Sequence, residues 1–168
     1  MNAPHVAAGS SYALRPWAVE DAAWYVDSRD EVVFALTTER PDLTVAAAVA
    51  RMQTAVADPA AAGFAIVDSA GRLVGNVGVL IEGADAELSY WVAAEGRGRG
   101  AATAALEAAA TWASALPGVS RLRLSIHPDN PASRRVAEKA GFVAAGMIPA
   151  PHHCSTETGM VDQYVRAV

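Results

Sequence analysis

Cysteine is almost absent: Cys154 is the only one in 168 residues, so no disulfide can close within the chain. That usage suits a reducing compartment, and a cytoplasmic home is expected. Long apolar runs are missing as well. No window approaches the roughly 18–20 apolar residues that span a bilayer, so no membrane partner is expected. The opening MNAPHVAAGSS has neither a basic start nor an apolar core of signal-peptide length. Residues 1–10 are therefore expected to be a disordered tail, and residues 11–168 a single domain. Basic excess is lacking too: the net charge of −5 argues against a nucleic-acid-binding face and is compatible with attracting a cationic amine. What is plentiful is apolar surface, 52% of residues against 18% charged, which excludes the disordered class. Much of that share is alanine, so closely packed helices are expected.

No repeat or low-complexity linker interrupts the chain. Tyr12–Trp17 reads as a first strand, with Pro16 placing it near a sheet edge. A short helix is expected over Glu20–Arg29, and a second, capped by Thr44, runs to a stop at Asp58-Pro59. The period then changes to two. Strands are expected over Phe64–Asp68, Leu73–Ile81 and Glu87–Val92, joined at Ala70-Gly71 and Gly83-Ala84-Asp85. In the last of them Glu87, Ser89 and Trp91 share one face, and Leu88, Tyr90 and Val92 the other. A helix over Ala101–Leu116, a strand over Arg121–Ile126, a helix over Pro131–Ala140 and strands over Phe142–Ile148 and Met160–Val168 complete the order. Three meandering strands followed by helical crossovers imply a mixed α/β (α+β) sheet with helices on its faces.

The sharpest local signal is Arg97-Gly98-Arg99-Gly100-Ala101-Ala102, set between a strand and a helix. A helix start leaves N–H groups unpaired and partly positive, and glycines let the backbone approach a ligand closely. With two arginines on the turn, this is an anion cradle suited to a pyrophosphate. A dinucleotide fingerprint fits poorly, because it wants an acidic residue about 20 positions on, and Ala115–Leu124 offers none. A P-loop is excluded, since no Gly-Lys-Ser/Thr follows. The plain alternative is a connection that binds nothing.

Asn130-Pro131-Ala132-Ser133 through Gly141-Phe142 is a well-specified helix: Asn130 suits the N-cap, Pro131 the first position and Gly141 the left-handed C′ position. Taken alone, Asn130 need only cap. Taken together, the two segments resemble the GNAT superfamily of N-acetyltransferases. Its signature Arg/Gln-x-x-Gly-x-Gly/Ala matches Arg97, Gly100 and Ala102, and its next motif matches Asn130, Ser133, Gly141 and Phe142. The wording Asn-Pro-Ala-Ser-Arg-Arg-Val-Ala-Glu-Lys-Ala-Gly-Phe is closest to the RimJ/RimL-like branch, which acetylates ribosomal-protein N-termini.

The resemblance implies a mostly antiparallel sheet of about seven strands, splayed between the fourth and fifth. It implies acetyl-CoA as co-substrate, lying along Trp91 and Val92, on the turn residues Arg97, Gly98, Arg99, Gly100, Ala101, Ala102 and Thr103, and against Asn130 and Arg135. An amine must lose a proton before it attacks, and Glu87 matches the family position that carries the base in some members. An ordinary strand glutamate facing solvent is the alternative. Many members protonate the leaving thiolate with a helix tyrosine, but that position is Ala137 here; in the similar branch Ser133 takes the role. Trp17, Phe34, Glu39 and Ser89 are candidates to line the acceptor site. Direct transfer in a ternary complex is expected, with no metal: His152-His153-Cys154 are adjacent, point apart and have no second ligand cluster. The acceptor is a protein N-terminus or a small amine, and the assembly a monomer or homodimer. Two rival readings stand beside the enzyme: a catalytically weak acetyl-CoA-binding sensor, favoured by Ala137, and a nicotinamide-dependent oxidoreductase.

Overall fold

The computed structural model describes residues 11–58, 60–150 and 156–168. The expectations for the first ten residues, for Pro59 and for His152, His153 and Cys154 lie outside the described residues. Seven strands form one sheet: β1 (Tyr12–Pro16), β2 (Ala61–Asp68), β3 (Leu73–Glu82), β4 (Asp85–Val92), β5 (Arg121–Ile126), β6 (Val143–Pro149) and β7 (Met160–Ala167). Their order is β1-β2-β3-β4-β5-β7-β6, with β4–β5 the one parallel pair and the rest antiparallel. A doubly wound parallel sheet, which the oxidoreductase reading needs, is not what these strands build.

The helices are α1 (Ala22–Asp27), α2 (Glu31–Leu36), α3 (Val45–Ala57), α4 (Ala101–Ser114) and α5 (Pro131–Lys139). The strand limits differ from the sequence reading by a few residues, and one helix was missed. α2 is short and carries two β-branched valines, which weaken a helical pattern; Asp30 holds it by accepting from Val33 N at 3.1 Å. Thr44 caps α3 by accepting from Ala47 N at 3.2 Å, as its sequence suggests.

Strand alternation divides the interior. Leu88 and Val92 of β4 enter the main core with Ile66, Val77, Leu106 and Leu122 under α4. On the other face Trp91 packs with Val33 and Ala93, next to Trp24 and Tyr25 of α1. Alanines at 105, 108, 109, 110 and 113 are all buried, so α4 lies close against the sheet with little side-chain bulk between them.

β4 and β5 pair only at Asp85↔Arg121, Ala86↔Leu122 and Glu87↔Arg123. Beyond Glu87 the two strands run on without pairing, and the sheet opens as a V. Leu88 stands at its root and is 1% exposed. Leu88→Ala is expected to lower the unfolding free energy by about 2–5 kcal/mol, read from urea midpoints. A loss below about 1 kcal/mol would show that the core does not depend on this side chain.

Candidate active site

The V opens into a cavity of about 1050 Å³ that reaches from the glycine-rich turn to α2. It is at the upper end of the roughly 300–1,000 Å³ usual for small-molecule sites, large enough for a long ligand and a second one to meet. β4 forms its spine: residues 87 to 92 all line it, from both faces of the strand.

At the C-terminal end of β4 the chain makes a short 3₁₀ turn over Ala94–Gly96 and reaches the glycines. Gly98 and Gly100 adopt φ of 74° and 85°, a left-handed conformation that side chains resist. The first α4 hydrogen bond runs from Ala104 N to Gly100 O, so the amides of Ala101, Ala102 and Thr103 have no partner within the helix. All three residues, with Gly98 and Gly100, line the cavity. The donors that the turn offers the cavity are therefore backbone amides.

Its arginines behave differently from a simple cationic rim. Arg97 makes a two-pronged pair with Asp30 (2.7 Å at each nitrogen) and donates to the Val92 carbonyl at 2.9 Å. The guanidinium holds the Asp30 carboxyl down at about 2. Arg97 thus ties the turn to the cap of α2 instead of presenting a free charge. Arg99 does not line the large cavity; it faces a smaller cleft beside Tyr12, whose hydroxyl donates to the Arg99 carbonyl at 3.2 Å. The cations on the cavity wall without an ion-pair partner among the described residues are Arg135 and Lys139 of α5.

Glu87 sits at the fork. Ser125 of β5 donates to its Oε1 at 2.6 Å, and Arg123 Nε approaches its Oε2 at 3.4 Å. Its carboxylate is about one-quarter exposed and faces the α2 side of the sheet. Ser89 follows on the same face and is exposed to the cavity, opposite Gly78, where a β-carbon would stand 2.9 Å from Ser89 Oγ. Across the V, Asn130 caps α5 by accepting from Ser133 N at 3.0 Å. Ser133 Oγ lies 2.7 Å from the Tyr90 hydroxyl. Burial pushes that phenol up to about 12, and the bond to Ser133 partly offsets the effect. Tyr90 was not among the sequence candidates. Its only sequence signal was its parity, one face away from Glu87 on the same strand.

The structure brings Glu87, Ser89, Trp91, Val92, Asn130, Ser133 and Arg135 to one cavity with the turn. It does not bring Trp17, Phe34 or Glu39 there. Trp17 packs on Trp24 and Tyr25 and donates to Asn76 at 3.0 Å. Glu39 accepts from the Tyr25 hydroxyl at 2.6 Å and pairs with the buried Arg29 at 3.0 Å, while Phe34 lies under that guanidinium. These side chains back the α2 wall as an aromatic and ionic cluster; burial, with the charge of Glu39, raises the Tyr25 phenol.

Known proteins share this fold. A family model described as an acetyltransferase (GNAT) domain matches residues 12–143. No curated protein matches the chain significantly. Among solved structures, spermidine N-acetyltransferase from Vibrio cholerae, in complex with CoA and spermine, superposes with a TM-score of 0.82 at 18% identity, over 95% of this chain and 96% of that one. RimL, a ribosomal L7/L12 α-N-protein acetyltransferase in complex with coenzyme A, gives 0.83 at 17%, over 97% of each chain. Mycobacterium smegmatis RimJ, in complex with CoA-disulfide, gives 0.81 at 22%, over 98% of this chain and 85% of that one.

The Asp30–Arg97 pair yields a pH prediction. Asp30 has a depressed pKa in the folded state, so its stabilising contribution is present above the unfolded value near ~3.9 and is lost as pH falls toward about 2. Asp30→Asn is expected to flatten the fall of Tm across that window, measured by a pH series of thermal melts. An unchanged slope would show that the pair does not form in solution.

Proposed function

The chain belongs to the GNAT acetyltransferase family, and from that premise we propose that it moves an acetyl group from acetyl-CoA directly to a primary amine. The single observation that carries this reading is the V between β4 and β5, with an anion cradle at one end and a carboxylate at its root. The backbone amides at 101–103 and the side chains of Arg135 and Lys139 take the phosphates of the co-substrate. Its pantetheine arm lies along β4, where strand backbone groups left unpaired by the splay, and the Asn130 side chain, meet its amides.

Glu87 takes a proton from the incoming ammonium, directly or through a water, so that the amine nitrogen attacks as a neutral nucleophile. The new C–N bond forms as negative charge builds on the thioester oxygen, and the Val92 N–H is the donor for that oxygen. The C–S bond then breaks, its electron pair stays on sulfur, and the Ser133 hydroxyl hydrogen-bonds the departing thiolate. The second proton shed by nitrogen balances the one that sulfur finally takes up. No residue is acylated, which suits a cavity that joins both ligand sites and has no cysteine among its described lining residues.

The charge balance of the cavity bears on the acceptor. Its carboxylates are Glu82 and Glu87, and both are within 3.4 Å of Arg123, which also meets Asp85 at 3.2 Å. The wall near α2 has no further charged group among its described residues: Val32, Leu36 and Leu80 are joined there by the hydroxyls of Thr37 and Thr38. A single amine next to an apolar or peptide body fits this wall better than a polyamine, whose further charges would find no free carboxylate among the described residues of the cavity. We therefore place the acceptor among protein N-termini and apolar monoamines.

Three outcomes test the reading. Acetyl-CoA is expected to raise Tm, and NAD to leave it unchanged. Glu87→Gln is expected to lower kcat/KM by about 100-fold, with the gap widening as pH falls and free amine becomes scarce, while acetyl-CoA affinity stays the same. A rate equal to wild type at every pH would remove Glu87 from the mechanism. In a thiol-release assay, spermidine is expected to give a kcat/KM at least about tenfold below that of an N-terminal peptide or apolar monoamine. Acetyl-CoA binding with no thiol release from any amine would instead identify a sensor.

A further inference from the structure

We propose that Tyr90 is a positioning residue for thiolate departure, fixing the hydroxyl of Ser133 so that its proton points at the leaving sulfur. The inference deepens the reading above and rests on Ser133 facing the thiolate.

The two hydroxyls lie 2.7 Å apart, and both line the cavity. Each has one proton, so a chain of two uses one proton internally and leaves one free at its outer end. A phenol is a stronger hydrogen-bond donor than an alkyl hydroxyl. The internal bond therefore runs from Tyr90 to Ser133 Oγ, and the free proton is that of Ser133. Donation into Ser133 also polarises its O–H, which strengthens the bond it makes to a developing anion. Burial holds the Tyr90 phenol up at about 12, so it stays protonated across the working range and remains a donor.

The backbone supports the same geometry. Ser133 N donates to Asn130 Oδ1 at 3.0 Å, which fixes the serine on the first turn of α5. One turn further along that face stands Ala137, fully buried and without any polar group. The helix thus supplies no hydroxyl there, and the strand does so instead from β4. Tyr90 does not give up its proton in the cycle. When the C–S bond breaks, the electron pair stays on sulfur, the thiolate accepts from Ser133, and its final proton comes from those released by the amine.

A double-mutant cycle tests this. Ser133→Ala is expected to lower kcat, and Tyr90→Phe to lower it about tenfold with little change in KM for acetyl-CoA. The double variant is expected to be no slower than Ser133→Ala alone, because Tyr90 acts only through Ser133. A second readout does not depend on turnover: the ratio of CoA to desulfo-CoA affinity, by calorimetry, should fall toward one in Tyr90→Phe, and retained affinity for desulfo-CoA shows that the variant is folded. Wild-type kcat in Tyr90→Phe, multiplicative losses in the double variant, or an unchanged affinity ratio would each overturn the proposal. If Ser133→Ala alone is fully active, it is the reading of Ser133 itself that fails, and this inference falls with it.

Discussion

The interruption of one strand pair governs the rest of the molecule. β4 and β5 are joined for three residues and then separate, and the join is held by charge as well as by backbone bonds. Arg121 pairs with Asp85 at 2.7 Å, and Arg123 spans Glu82, Asp85 and Glu87 within 3.4 Å. An exposed pair of this kind contributes little alone, but Arg123 is only 21% exposed and serves three carboxylates at once. The network closes the root of the V and leaves β4 beyond Glu87 without a neighbour on that side. Unpaired strand groups away from water need partners. In this fold an extended amide-bearing ligand is the partner they suit, since it continues the sheet where β5 has turned away.

The far end of β4 is controlled by a second link. Arg97 joins the glycine turn to Asp30, and Asp30 in turn caps α2. The glycine turn and the α2 wall of the cavity are therefore not independent surfaces. Arg29 extends the connection by pairing with Glu39 behind α2, next to the Trp17–Trp24–Trp91 aromatic stack. Trp91 belongs to both groups, as a residue of the cavity spine and as the inner ring of that stack. Packing behind the site thus sets how far α2 stands from the carboxylate of Glu87.

Much of this was legible in the sequence, and the reasons differ by element. The glycine turn and the α5 helix carry strong local rules: left-handed positions that favour glycine, an Asn cap, a Pro start and a Gly stop. Those rules act within a few residues, so spacing alone revealed them. The strand parity of β4 correctly grouped Glu87 with Ser89 and Trp91. What spacing could not reveal was who meets whom across the chain. Arg97 reads as a phosphate ligand until Asp30, 67 residues away, takes its guanidinium. Trp17, Phe34 and Glu39 look like acceptor contacts because they are aromatic or acidic near the right helices, yet burial and pairing turn them inward. α2 went unseen because six residues with two valines make too weak a pattern, and its stability comes from a cap and from packing.

The same parity bears on the proposed chemistry, because it puts a carboxylate and a phenol on opposite sides of one strand. Acyl transfer needs a proton acceptor near the nucleophile and a proton donor near the leaving group, and the two must not neutralise each other. Glu87 and Tyr90 are three residues apart on β4, so the pleat sends them to opposite faces of the sheet. The carboxylate faces the α2 wall, where Ser125 donates to one of its oxygens and Arg123 Nε stands 3.4 Å from the other. The phenol faces α5, where burial keeps it protonated and Ser133 is its partner. Between them lies the gap left where β5 turns away from β4. In a closed sheet β5 would fill that gap, and the two faces would be sealed from each other. Because the strands part after Glu87, both faces of β4 open on one cavity; under the proposed chemistry Glu87 serves the amine nitrogen from one face, while Tyr90, through Ser133 of α5, serves the departing sulfur from the other.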